Sequence, residues 1–377
     1  MSNPPRIKSI TVKGLFNQYD HHIELNQEER ITILHGINGV GKTTILQMID
    51  SLFNARTYRF NPKIPFESFI IKLSDGTKIA INKKSNKELG FIINHKSHTV
   101  IFDDDGFVLD KHNRDSNTLI KQEISEFSSI DVLFIEAFRF SPDGERIGNC
   151  AYELVENIEK VITDYGRIAE KLDQSFPFRL LKHADFYPKI KLKEHIEHLQ
   201  NKRKEFIEIG LLPETGLSSM SSDSLDDLVE EHHTAVMNLY VKDSEEKLEF
   251  LEPLGNKIKL LLDIINSKFQ GKELRIDEKK GLMVISKDGN EIGLTQLSSG
   301  EQHEIVMFYD LIFKVEPNTL VMIDEPELSL HITWQNNFID ELKQIVELSK
   351  FDVLIATHSP TIVGDNLHLM AGLGNNE

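Results

Sequence analysis

Between residues 69 and 108 the chain alternates apolar and polar positions around Asp-Gly turns, the period-two pattern that predicts antiparallel hairpins. Before it, "IKSITV" (7–12) and "IELNQEERITIL" (23–34) are rich in β-branched residues and predict strands, the second running into a glycine-rich turn with a helix from about Thr43. "IDVLFIEAFRFSP" (130–142) is a nearly continuous apolar run closed by Pro142, as expected of a strand buried on both faces. From about 151 to 268 the period changes to that of helices, interrupted by the serine-rich "GLSSMSSDSLDD" (216–227). Strands return from 273, and "TLVMID" and "FDVLIAT" have the composition of buried strands near the end. No internal repeat is visible. The pattern therefore predicts an α/β fold of mixed and parallel sheet with an antiparallel β portion. It divides into an N-terminal half (1–150), a helical insertion or arm (151–268) and a C-terminal half (269–377).

Composition narrows the function classes. Of 377 residues 40% are apolar and 27% charged, a balance that can bury a core. A formal charge of −17 argues against coating nucleic acid or anionic lipid with the whole surface, so any such contact needs a local basic patch. Cys150 is the single cysteine, which excludes an intramolecular disulfide and fits a reducing compartment. The opening "MSNPPRIKSI" lacks an apolar signal core and no stretch reaches the ~18 apolar residues of a membrane span, so the expected location is cytoplasmic, without membrane partners.

"GINGVGKTT", Gly36 to Thr44, fits G-x-x-x-x-G-K-[ST] between a predicted strand and a predicted helix. Gly36, Gly39 and Gly41 are expected to let the backbone turn around a phosphate chain, with Asn38 and Thr44 completing the nucleotide contacts. Lys42 would reach the β- and γ-phosphates and the Thr43 hydroxyl would ligate Mg²⁺. "TLVMIDEPELSLH" delivers Asp324 and Glu325 at the end of an apolar strand, where ligands of open α/β sheets sit. Asp324 would hold Mg²⁺ and Glu325 would polarise the attacking water, although a strand-end acid pair also serves as a turn or cap. "VLIATHSP" places His358 after another strand, where an imidazole could contact the γ-phosphate or orient the water. "LSSGEQ" (297–302) reads first as an ordinary capping box.

Taken in order, Lys42, "LSSGEQ", "DEP" and "THSP" resemble the Walker A, signature, Walker B and switch-histidine motifs of the ATP-binding-cassette ATPases. The chain is most similar to their chromosome-maintenance, RecF-like and overcoming-lysogenisation-defect branch, in which a helical arm splits Walker A from Walker B. That resemblance implies ATP and Mg²⁺ as cofactors. It also implies a homodimer or higher oligomer in which Ser299, Gly300 and Glu301 of one copy face the γ-phosphate held by another, with Glu327–His331 as the D-loop between them. Two departures stand out: no Q-loop glutamine is found, leaving Arg139 as a substitute, and the arm is too short for a hinged coiled coil. The compact arm and the "LSSGEQHEIV" wording resemble ATPase subunits of bacterial anti-phage systems. Such a subunit would control a separate effector, a nuclease or toxin, in response to DNA or a phage-encoded trigger. A DNA-repair ATPase, a scaffold of slow turnover and, more remotely, a transporter ATPase are the alternatives.

Three further expectations concern the remainder. Asp103–Gly106 lacks the acid an EF-hand needs at 101 and is expected to be a solvated turn. "KIKLKEHIEHLQNKRKEF" carries Lys189, Lys191, Lys193, Lys202, Arg203 and Lys204 on another face from Leu192, Ile196, Leu199 and Phe206, either a solvated amphipathic face or a patch for nucleic acid or an acidic partner. The chain ends soon after His358 with no second acidic cluster, so no nuclease activity of its own is expected.

Overall fold

The computed structural model describes residues 5–54, 63–93, 96–101, 130–135, 144–182, 189–213, 234–328, 330 and 332–373. In chain order the strands and helices begin with β1 (Ile7–Leu15), β2 (Tyr19–Glu24), β3 (Ile31–His35), α1 (Lys42–Phe53), β4 (Ser68–Leu73), β5 (Lys78–Ser85), β6 (Glu88–Ile93), β7 (Lys96–Ile101) and β8 (Val132–Ile135). Helices α2 (Gly144–Lys182), α3 (Lys189–Glu208) and α4 (Thr234–Lys268) follow, then β9 (Lys272–Asp277), β10 (Gly281–Ser286), β11 (Glu291–Ile292) and α5 (Ser299–Tyr309). The last are β12 (Leu320–Asp324), α6 (Ile332–Gln335), α7 (Phe338–Ser349), β13 (Asp352–Thr357), α8 (Pro360–Val363) and β14 (Met370–Gly372). They group into two compact units, Met1–Ser141 with Lys314–Glu377, and Pro142–Phe313.

The first unit holds two sheets. One is antiparallel, in the order β2-β1-β4-β5-β6-β7, as the alternating pattern requires. The other is parallel, in the order β14-β3-β13-β12-β8. Strands β12 and β13 are buried at every position, the mark of a parallel strand covered on both faces. Isoleucines and leucines of the antiparallel sheet, of α1 (Ile45, Leu46, Ile49) and of the parallel strands (Leu34, Met322, Leu354) share one core. Register then aligns the strand ends: Asp324 pairs with Ala356, and Thr357 with His35, so the chain leaves three neighbouring strands at one edge of the sheet.

Two strand expectations change. Residues 23–34 form the end of one strand and most of another, because Asn26 accepts the backbone N–H groups of Glu28 and Glu29 and Arg30 takes φ 61, a tight turn between them. Strand β8 is a sheet edge among the described residues, and Leu133 and Phe134 are only half-buried.

In the second unit α2 and α4 run for 39 and 35 residues, each with an internal proline (Pro177 and Pro253). The small antiparallel sheet β11-β10-β9 and α5 belong to this unit with the helices. Gly281, at φ 71, brings its backbone so close to α2 that a Cβ there would sit 2.1 Å from the carbonyl oxygen of Ala151. On α3 the apolar face is buried at Leu192, Ile196, Leu199 and Phe206, as its spacing predicts. The basic residues of its other face meet acids: Lys202 pairs with Glu252 of α4, and Lys204 lies 3.6 Å from Glu208. Two further pairs join these helices: Lys259 of α4 with Glu205 of α3, and His195 of α3 with Glu245 of α4. The Asp103–Gly106 turn, the serine-rich 216–227 segment and the end of the 130–142 run lie outside the described residues.

Candidate functional site

Strand β3 delivers the chain into the loop 36–41, and α1 starts at Lys42. Gly39 (φ 87) and Gly41 (φ 100) occupy the left-handed region, and a Cβ on Gly41 would lie 2.3 Å from Leu15 Cδ2. Gly36, at the start of the loop, is not among the positive-φ glycines. The first turn of α1 contains no acid and its N-terminus carries no side-chain cap, so its free N–H groups remain available to an anion. Lys42 Nζ donates to the carbonyls of Gly36 (2.7 Å) and Ile37 (3.1 Å). Burial pushes the Lys42 ammonium below its ordinary range, opposed by the charges of Glu325, Asp324 and Glu327. Asn38 at the exposed loop tip and Thr44 on α1 flank it. One supporting residue is not readable from sequence: His21 Nε2 bonds to the carbonyl oxygen of Val40 at 2.8 Å and the ring stacks on Tyr19. A lone histidine on a strand gives no signal of this.

Thr43 Oγ1 donates to Asp324 Oδ1 at 3.0 Å, so the two residues expected to share a metal are side by side although 281 positions apart. A hydroxyl and a carboxylate are hard oxygen donors and fit Mg²⁺, which uses one or two carboxylates plus phosphate and water. No group of three His, Cys, Asp or Glu side chains suited to a metal occurs among the described residues. Glu325 takes φ 46, a left-handed conformation rare for a non-glycine residue, and its N–H donates to the Ala356 carbonyl at 2.8 Å. This turns Glu325 off the strand at the sheet edge. His358 Nδ1 lies 3.7 Å from Glu325 Oε1 and 3.1 Å from Glu327 Oε1. Glu327 lies in a short 3₁₀ turn (Pro326–Leu328), and its side chain is 7% exposed. Arg139, Ser329 and His331 lie outside the described residues.

The "LSSGEQ" segment sits in the second unit. Ser298 caps α5, accepting from Glu301 N, while Glu301 Oε2 accepts from Ser298 N at 3.0 Å, a complete capping box. Burial works to raise the Glu301 carboxyl, but hydrogen bonds from Lys272 (2.8 Å) and Ser298 outweigh it and hold the group below its usual range. Glu301 is thus committed to its own helix start. Ser299, exposed, and Gly300 are the residues left at the helix tip. One turn further, Glu304 is buried against Lys268 at 2.6 Å, and the Lys268 ammonium lies 5.1 Å from the centre of the Phe308 ring.

A parallel sheet whose strand feeds a glycine loop and helix, with a neighbouring strand ending in an acid bonded to the first hydroxyl of that helix, defines a P-loop nucleotide-binding domain. The chain belongs to the AAA_15 family, an AAA ATPase domain, whose model matches residues 6–363. It is 21% identical over 389 aligned positions to the Retron Ec83 probable ATPase of Escherichia coli, covering 92% of this chain and 68% of that protein. Among solved structures it is similar to the Smc head domain with an extended coiled coil, bound to the C-terminal domain of ScpA, from Pyrococcus furiosus. That match is 14% identical with TM-score 0.44 and covers 99% of this chain and 94% of that one. A Smc head domain with coiled coil and joint from Pyrococcus yayanosii gives 11% identity and TM-score 0.39, over 99% and 95%. Among the described residues no helix is long and apolar enough to cross a membrane.

Proposed function

We propose that this protein binds ATP with Mg²⁺, closes as a dimer around the nucleotide, and hydrolyses it slowly to reopen. The observation that carries the reading is the Thr43–Asp324 hydrogen bond beside Glu325, three groups of the required chemistry at one sheet edge. The first-turn N–H groups of α1 and the 36–41 loop bind the phosphates. Lys42 exchanges its two loop carbonyls for phosphate oxygens, a stronger partner for an ammonium. Thr43 and Asp324 hold Mg²⁺, which supplies neutralisation of the phosphate charge. Glu325 accepts the proton of the attacking water, and His358 orients that water or the γ-phosphate. Ser299 and Gly300 of a second copy close over the γ-phosphate, the free helix tip providing the anion site. Glu301 acts there as the cap that shapes the tip.

Similarity to a retron ATPase supports the further proposal that the dimer is the sensor or scaffold subunit of an anti-phage system and controls a separate effector. The chemistry is tested with Glu325→Gln: Mg·ATP stays bound while single-turnover hydrolysis falls by about 10² or more, the usual size of a general-base effect. Normal hydrolysis by that variant moves the base elsewhere. The defence reading is tested by phage plating on cells carrying the native locus with and without Lys42→Ala, and by identifying what co-purifies in ATP. Unchanged protection with no partner would send the reading back to DNA repair.

A further inference from the structure

We infer that Glu327 is the positioning residue for His358: its carboxylate holds a proton on His358 Nδ1 and turns the ring so that Nε2 is the nitrogen offered to the nucleotide. The inference rests on the ATPase reading above and adds a member to its machinery.

Three donors converge on one oxygen. Glu327 Oε1 accepts from the Thr357 hydroxyl at 2.8 Å and from the His358 backbone N–H at 3.0 Å, and it lies 3.1 Å from His358 Nδ1. An oxygen already accepting from two donors meets the ring as an acceptor too, so Nδ1 must carry the hydrogen; a bare lone pair facing a carboxylate would be repelled. The anchor is rigid, because Thr357 is fully buried in β13 and Glu327 is 7% exposed in its 3₁₀ turn. The His358 side chain is 42% exposed, and of the two carboxylates near its Nδ1 that of Glu327 is the closer. A carboxylate or carbonyl on one ring nitrogen sets which tautomer the other presents.

Glu325 benefits as well. Its Oε1 is 3.7 Å from the same Nδ1, beyond hydrogen-bond range, whereas Glu327 is within it. Glu327 thus occupies the imidazole and leaves the Glu325 carboxylate for water. Two acids two residues apart divide the work: one takes the proton of the nucleophile and the other aims the histidine.

The test uses the full chain with ¹⁵N-labelled histidine at pH 8, where an unperturbed imidazole is neutral. His358→Gln identifies the ring signals. Wild type is expected to show a protonated Nδ1. Glu327→Gln keeps an acceptor oxygen in place and should keep that tautomer and hydrolyse within about threefold of wild type. Glu327→Ala removes the acceptor and should release the ring to the Nε2–H form, lowering single-turnover hydrolysis by about tenfold or more, a loss of about 1.4 kcal/mol of transition-state stabilisation. Its ATP affinity should change little, while its melting temperature should fall, because the buried Thr357 hydroxyl and the His358 N–H lose their acceptor. Thr357→Val, which deletes a bond to Glu327 without touching the ring, should keep the Nδ1 proton, as a purely structural role would not require. An unprotonated Nδ1 in wild type, or an Ala variant with unchanged tautomer and rate, overturns the inference. If the ring changes as expected while no form hydrolyses ATP, the ATPase reading fails and the positioning of His358 stands.

Discussion

Lys42 is buried and yet bonded only to carbonyls of its own loop, a weak arrangement for an ammonium surrounded by three acids at longer range. Its stronger partner is a phosphate chain. Lys42→Met should therefore preserve the fold, removing a desolvated charge, while weakening ATP binding by about tenfold or more, the equivalent of 1.4 kcal/mol. Titration with a fluorescent ATP analogue checks it, and wild-type affinity would remove Lys42 from the site. His303, on the signature-bearing helix, gives a second residue-scale outcome. Burial, with Arg146 beside it, pushes its pKa down from 6.5 to about 4. The unfolded chain therefore takes up a proton near pH 6.5 that the folded chain refuses until about pH 4. Stability should fall as pH drops through that window, by up to about 1.4 kcal/mol per pH unit, less whatever solvent reaching the half-buried ring screens away. Urea unfolding between pH 7 and 5 should show His303→Gln with a flatter slope than wild type.

At the scale of elements, the buried Lys268–Glu304 pair ties the end of α4 to α5, both side chains being under 5% exposed. Breaking such a pair leaves a charge without its counter-charge and costs about 3–5 kcal/mol, whereas replacing both partners with apolar residues is often neutral. Glu304→Leu should lower the melting temperature strongly, and Lys268→Met with Glu304→Leu should recover most of it. A double variant as unstable as the single one would show that the pair is not the source. This pair was invisible in the sequence, since nothing in the spacing of 268 and 304 marks a contact. What was legible followed from local rules: period two for the hairpins, continuous apolar runs for β12 and β13, and Ser298 with Glu301 for the start of α5. What was not depended on long-range register or on single backbone angles. The turn at Asn26–Arg30 divided an expected strand, and the Glu327 carboxylate found Thr357 and His358 only because β12 and β13 lie side by side.

For the whole molecule, the phosphate loop, the acid pair and His358 belong to one unit while Ser299 and Gly300 belong to the other. If active sites are completed by a second copy, each chain contributes two separable halves. Ser299→Arg and Lys42→Ala should each be inactive alone. Mixed under subunit exchange, a heterodimer regains one site from its undamaged halves, and about a quarter of wild-type activity is expected if pairing is random and the two sites act independently. A mixture as inactive as its parents would mean that sites are not shared.

The strand order β14-β3-β13-β12-β8 has one more consequence, for how the chain comes to be made. Its middle strands, β12 and β13, are made long after β3 and β8, which flank them. Until Thr357 is synthesised, β3 and β8 have no partner between them, and the apolar residues of α1 have only half of their core to cover them. Parallel pairing across so many residues closes slowly, and exposed strand edges invite association with other chains. Through that interval the 36–41 loop is held by the early strands alone, through His21 on β2 and Leu15 on β1. The Thr43–Asp324 bond cannot form before β12 is made, so a chain cut short ahead of that strand carries the loop without its acid.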